Sequence, residues 1–439
     1  MSYYPWILPR CLALSLIVLL SSLPAVAQER AFVRVEDGRF MIGNEPYYFL
    51  GANMWFGMHL GSEGPAGDRE RLIRELDHLQ SLGVNNIRVM ASSEGPDDAP
   101  WRVTPSLQPA PGEFNEDLLE GLDFLLAEMA RRDMRAVMVL NNFFQWSGGM
   151  SQYVAWSQGV GIPYPHLPEN TWDEFQNFSA RFYADAEAQR LFLNFVHRLV
   201  HRVNSITGVP YNEDPTIMSW QLGNEPRGFD HTLAYQEWVP KTAGILKLLA
   251  PKQLVSLGGE GKLTDLERTA FEEVSRTPHL DYLTIHIWIE NWSWYDPQQP
   301  EETFYAAAGR AMGYMADHVA VAEELEKPIV LEEFGVSRDG RDYHTEASAD
   351  YRDRFFIMVF DALHKLALEG SAMAGSNFWS WSGEGRPDEP GAYWSAGEPF
   401  TGDPPHEEQG WYSIYDIDES TLAIIRRYAE RMNAVGNDN

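Results

Sequence analysis

Two glutamates close apolar runs that lie far apart in the chain. Glu225 follows Asn224 in SWQLGNEPRG, and Glu333 ends the run in PIVLEEFG. Two carboxylates facing each other across a pocket can cleave a glycosidic bond. One protonates the leaving oxygen, and the other attacks the anomeric carbon or activates water. A separation of about 5–5.5 Å gives retention of configuration, and about 6.5–9.5 Å gives inversion. Arg88, His286 and Trp379 also stand where apolar runs end. Taken singly, each has an ordinary reading: Glu before Pro as a turn, Arg88 as a structural ion pair, His286 and Trp379 as core. Their joint placement at run ends is what favours chemistry.

Glu332 and Glu333 are neighbours. Strand alternation sends neighbouring side chains to opposite faces, so one of the two faces the pocket. Phe334-Gly335 marks the end of the run and favours Glu333, leaving Glu332 to support the layer behind or to pair with a basic group.

The elements that must position these residues recur along the chain. Apolar runs at 47–53, 84–90, 135–142, 216–223, 254–258, 282–288, 328–333 and 376–381 alternate with amphipathic helix patterns. Asp68 can cap one such helix, with Leu72, Leu76 and Leu79 on one face and Gly83 as its stop. Strands alternating with helices imply parallel βαβ units. Eight of them predict an α/β fold, a (β/α)8 TIM barrel, which needs roughly 250 residues and leaves room for long loops. Those loops fall at 143–186, after strand three, and at 382–415, after strand eight. Both follow carboxyl ends of strands, the face that holds active sites in such barrels. A doubly wound sheet is the alternative, but no glycine-rich phosphate loop follows the first strand.

Composition narrows the partners. The chain has 439 residues and a net charge of −30, with no basic tract. Nucleic acid and anionic membranes are therefore unfavourable partners. Arg10, an apolar run at 12–20 and Ala25-Val26-Ala27 have the pattern of a signal peptide over residues 1–27. A secreted, monomeric single domain over 28–439 is the expectation, with no membrane contact after processing. Cys11, the only cysteine, lies in that leader, so the mature chain can form no disulfide or thiolate site. The 15 Trp exceed what a core of this length needs and suit stacking on sugar rings.

Two motifs are set aside. HRLVH (197–201) has histidines at zinc spacing but lacks the Glu of a metalloprotease helix. GGEGK (258–262) has the wrong glycine spacing for a phosphate loop. Neither a metal nor a cofactor is expected.

GNEP at 223–226, EFG at 333–335, the IR ending strand two and HIW at 286–288 resemble glycoside hydrolase family 5. FLGANMWFG, RVMASSEGPD, NNFFQWSGGMSQYVAW and HIWIENWSW resemble its β-mannanase branch, as do FWSW and GDPPHEEQGWYSIYD. The resemblance implies a retaining barrel enzyme with Glu225 as acid/base and Glu333 as nucleophile. It further implies that Asn224 bonds the sugar 2-hydroxyl, that Arg88 keeps Glu333 ionised, and that His286 sits beside both carboxylates. Trp288 replaces the Tyr common in the family. Trp379 would floor the subsite of the attacked sugar, followed by a cis peptide, with Trp55, Trp146 and Trp156 as platforms further along. The implied activity is endo-β-1,4-mannanase action on mannan, glucomannan or galactomannan. If the loop after strand eight crosses the cleft, exo action on chain ends follows instead. A non-catalytic mannan-binding barrel is the alternative of another class.

Overall fold

All eight apolar runs become parallel strands in the computed structural model, which describes residues 1–3, 5, 30–261 and 265–435, without the side chains of 265–269. The apolar leader pattern at 10–27 lies outside the described residues. Contacts divide the chain into Met1–Arg30 and Ala31–Asn439, and the second unit contains every described strand. The strands are β1 (Phe49–Asn53), β2 (Asn86–Met90), β3 (Arg135–Val139), β4 (Ile217–Gln221), β5 (Leu254–Ser256), β6 (Leu283–Ile287), β7 (Ile329–Phe334) and β8 (Met373–Phe378). Their order in the sheet is β5-β4-β3-β2-β1-β8-β7-β6. Backbone hydrogen bonds from Asp281 N to the Val255 carbonyl (2.8 Å) and from His286 N to the Glu260 carbonyl (2.9 Å) bridge its two edges. The result is the expected (β/α)8 barrel.

The helices form where apolar spacing and caps agree. Helix Arg69–Ser81 begins at Asp68, whose side chain accepts from Arg71 N at 2.9 Å. Leu72, Leu76 and Leu79 are fully buried on its inner face, and Gly83, at φ +81°, ends the turn. Sequence patterning missed three short strands, Val33–Glu36, Arg39–Ile42 and Glu45–Pro46. Val33, Phe40 and Tyr47 from this segment pack on Met218, Leu254, Tyr282 and Val330, plugging the amino-terminal end of the barrel. These strands are too short to display a period.

The two insertions carry structure of their own. The first holds helices Gly149–Gln158 and Trp172–Ala180, and the second a parallel strand pair, Trp381–Gly383 with Ile414–Tyr415. Buried Glu94 pins the first insertion by accepting from Gly149 N (2.9 Å) and the Tyr153 hydroxyl (3.2 Å). Burial pushes its carboxyl up from 4.5 to about 8. Across that window the folded chain keeps a proton that the unfolded chain releases, so this group's contribution to stability is lost as pH rises from 4.5 to 8. Glu94→Gln has no such titration. Thermal unfolding should show the variant gaining on wild type steadily from pH 5 to pH 8, and a pH-independent difference would refute this.

Candidate active site

The carboxyl ends of the strands converge on a cavity of about 730 Å³. Glu225 sits just past β4, at φ +49°, an uncommon backbone conformation for a residue with a side chain. Its N–H donates to the Gly258 carbonyl at 2.9 Å. A Cβ on Gly258 would lie 2.0 Å from the Gly223 carbonyl oxygen, so the approach requires glycine. Glu333 reaches the same cavity from β7. One oxygen of each carboxylate and a ring nitrogen of His286 all lie within 4.8 Å of one another. His286 Nδ1 is 2.7 Å from Glu225 Oε1 and 3.2 Å from Glu333 Oε2. Burial lowers the imidazole to about 4, so it is neutral at pH 7. The Trp288 indole N–H donates to Glu225 Oε1 at 3.3 Å.

Arg88, 3 % exposed, organises the other half. Its guanidinium donates to Gln221 (2.8 Å), Asn53 (3.0 Å), Asn224 (2.8 Å) and Glu333. Glu332 does pair with a basic group, as expected, but with the same Arg88 that holds Glu333, which simple alternation does not predict. Its carboxylate accepts from Gln221 and lies 3.6 Å from Arg88 Nε. The reason is an irregularity in the β7–β6 pairing: Leu331 faces Ile285 and Glu333 faces His286, leaving Glu332 as the extra residue. A bulge of this kind breaks the two-residue alternation and lets neighbouring side chains face the same way.

Burial would lift the Glu225 carboxyl, but the His286 hydrogen bond, the Arg227 charge and Trp288 outweigh it and hold it down at about 2. Burial pushes Glu333 well above the usual carboxylate range against the pull of Arg88, and the charges of Glu225 and Glu332 add to the push. The two groups titrate together and share one proton. In the free enzyme these surroundings place it on Glu333, and a reaction with Glu225 as the acid needs it moved across to Glu225. A dication fits poorly among Glu225, His286 and Glu333. The guanidinium groups of Arg88 and Arg227 already bond these carboxylates and place positive charge where the ion would sit.

Trp379, 5 % exposed, lines the cavity and is followed by a cis peptide to Ser380. Trp288 packs edge-on against it, ring centroids 5.9 Å apart. Trp146 also reaches the cavity, stacked on His406 at 6.2 Å. The structure does not bring Trp55 or Trp156 to this wall. Trp55 is covered by the second insertion: its indole N–H donates to the Gly402 carbonyl at 2.9 Å, and Phe400 lies edge-on to its ring. Trp156 packs on Tyr153 within the first insertion. Trp156 serves as packing surface for the first insertion, while Trp55 reaches only a closed space of about 10 Å³ beside Arg88, Asn224 and Trp379.

Several acidic or basic residues of the site escaped sequence reasoning, among them Arg227, Glu260 and Glu407. Arg227 stands two residues past Glu225, and Glu260 lies within the GGEGK stretch set aside above. All three sit on loops, where no periodicity announces direction.

Comparison with known proteins shows the family and the fold. The family described as GH family 5 beta-mannosidase-like matches residues 30–437. A glycoside hydrolase family 5 mannosidase from Rhizomucor miehei superposes with a TM-score of 0.87 at 41 % identity, covering 93 % of this chain and 99 % of that one. A mutant of that protein was solved in complex with mannosyl-fructose. A putative mannan endo-1,4-beta-mannosidase 9 from Oryza sativa subsp. japonica is 32 % identical over 79 % of this chain and 81 % of its own. Mannan endo-1,4-beta-mannosidase 5 from Arabidopsis thaliana is 28 % identical over 87 % of this chain and 84 % of its own.

Proposed function

The chain belongs to the glycoside hydrolase family 5 β-mannosidase-like family, and from that premise we propose that it hydrolyses β-1,4-mannosidic bonds in mannan-type glycans as a retaining endo-β-1,4-mannanase. The observation that carries the reading is the pairing of Glu225 and Glu333 across His286, with one oxygen of each within 4.8 Å, nearer the separation of about 5–5.5 Å of a retaining pair than the about 6.5–9.5 Å of an inverting one. In the first step Glu333 attacks the anomeric carbon while Glu225 protonates the leaving oxygen. In the second, Glu225 takes a proton from water, which releases the sugar with its configuration retained. Asn224 lies beside Glu333 through their shared Arg88, in reach of a sugar 2-hydroxyl. Trp288, Trp379 and Trp411 provide flat apolar walls for sugar faces. The acidic lining, which includes Glu260, Glu290, Glu407 and Glu408, disfavours anionic substrates and suits a neutral glycan.

A second reading, release of mannose or mannobiose from chain ends, has its own support. The two insertions meet: the Trp146 and His406 rings stack, and His166 Nε2 lies 3.1 Å from the His406 carbonyl oxygen. Beneath them, between Trp55, Trp146, Arg88 and Trp379, only about 10 Å³ is left open. The Rhizomucor miehei neighbour is itself called a mannosidase. Time-resolved product analysis on mannohexaose and galactomannan separates the two. Mid-length oligomers with early loss of viscosity support endo action. Mannose alone from the first minutes would overturn it in favour of exo action.

A further inference from the structure

Glu225 carries a contact that its assigned role does not call for. Its Oε2 accepts from Arg227 Nη2 at 2.9 Å. A group that must deliver a proton is here paired with a guanidinium, which favours the charged form that cannot donate. The same Nη2 also reaches Glu260 Oε2 at 3.0 Å, and Arg227 Nε lies 2.9 Å from Glu260 Oε1. Two guanidinium nitrogens therefore face Glu260, and one of those two also touches Glu225. The remaining nitrogen donates to Gln176 at 3.0 Å, and the guanidinium lies over the Phe144 ring at 5.3 Å. Arg227 is thus shared between two carboxylates, Glu225 and Glu260.

We propose that Glu260 is a positioning residue for the acid/base: its carboxylate pairs with Arg227 and offsets part of the guanidinium charge that otherwise favours the Glu225 anion. The arrangement serves both half-reactions. When Glu225 must be a neutral acid, the Glu260 carboxylate offsets the guanidinium charge. When Glu225 must ionise to activate water, a donor is already in place on Oε2. The charge-assisted hydrogen bond from Nη2, with Nε at 2.9 Å from the other carboxylate oxygen, ties Arg227 to Glu260 while Nη2 stays on Glu225. The proposal rests on the reading of Glu225 as acid/base.

The other groups facing Glu225 are His286 and Trp288 from the β6 side, Glu333 with Arg88 and Glu332 behind it, and His406 and Glu407 from the second insertion. They are common to wild type and to every variant below.

The test is the pH dependence of kcat/KM on mannohexaose. Its alkaline limb reports loss of the proton from the acid in the free enzyme. Glu260→Gln leaves the guanidinium charge to Glu225 alone and should move that limb down by about one pH unit. Arg227→Gln removes the charge and should move it up by a similar amount. Glu260→Asp, which keeps the carboxylate, should stay near the wild-type limb. Limbs that stay in place while kcat falls, or that move in the same direction in both Gln variants, would overturn the proposal. A parallel assay separates failure of the underlying reading. Glu225→Gln should lose far more activity on mannohexaose than on a 2,4-dinitrophenyl β-mannoside, whose leaving group needs no proton. Equal losses on both would remove Glu225 from the acid/base role whatever the limbs do.

Discussion

Glu333→Ala should lower kcat on mannan oligosaccharides by about 10⁵-fold while leaving the fold intact, because it removes the atom that forms the covalent bond to the sugar. No neighbouring group replaces it. Glu332 is turned to Gln221 and Tyr282, and Glu407 stands on the second insertion. The vacated volume lets a small anion attack instead. Azide should restore turnover and give an α-mannosyl azide, the configuration of a single displacement. The matching Glu225→Ala variant keeps the nucleophile, so azide should intercept its covalent intermediate and give the β-product. Product stereochemistry by NMR decides between the roles. A β-azide from the Glu333 variant would reverse the assignment.

Arg88→Met should have the second largest effect, on activity and stability together. Arg88 lies between two buried carboxylates, Glu332 at 3.6 Å and Glu333 in direct contact. Removing one partner of a buried ion pair strands the other and costs about 3–5 kcal/mol. Gln221, Asn53 and Asn224 lose a hydrogen-bond donor at the same time. The pKa of Glu333, already above the usual range against the pull of Arg88, rises further without it. The nucleophile then holds its proton more tightly, so the acid limb of kcat/KM should move to higher pH and activity at pH 7 should fall about 10³-fold. Arg88→Lys keeps the charge but cannot bond four partners with one planar fork, and should recover the limb more fully than the rate. A Met variant of normal stability with an unmoved acid limb would refute this account.

Much of the site follows from where polar residues stand along the chain. A strand of a parallel barrel is apolar until its carboxyl end, so Arg88, Asn224, Glu225, His286 and Glu333 stand out where apolar runs stop. The eight runs with helices between them imply the barrel, and the barrel brings those ends to one mouth. The quoted motifs add the chemistry that these side chains carry in related enzymes.

Tertiary structure decided what depends on register and on loops packing against loops. Glu332 shares Arg88 with Glu333 because one extra residue in β7 interrupts alternation, and a bulge is a property of two paired strands. Trp55 reads as a sugar platform in sequence, yet it is roofed by Phe400 and Gly402 from the far end of the chain. Arg227 and Glu260 come together from the loops after β4 and β5 to meet Glu225. Sequence by itself determined the barrel and the paired carboxylates, because burial periodicity is local. Which charges surround the acid, and how far the cleft is closed, come from contacts between distant segments that no local pattern encodes.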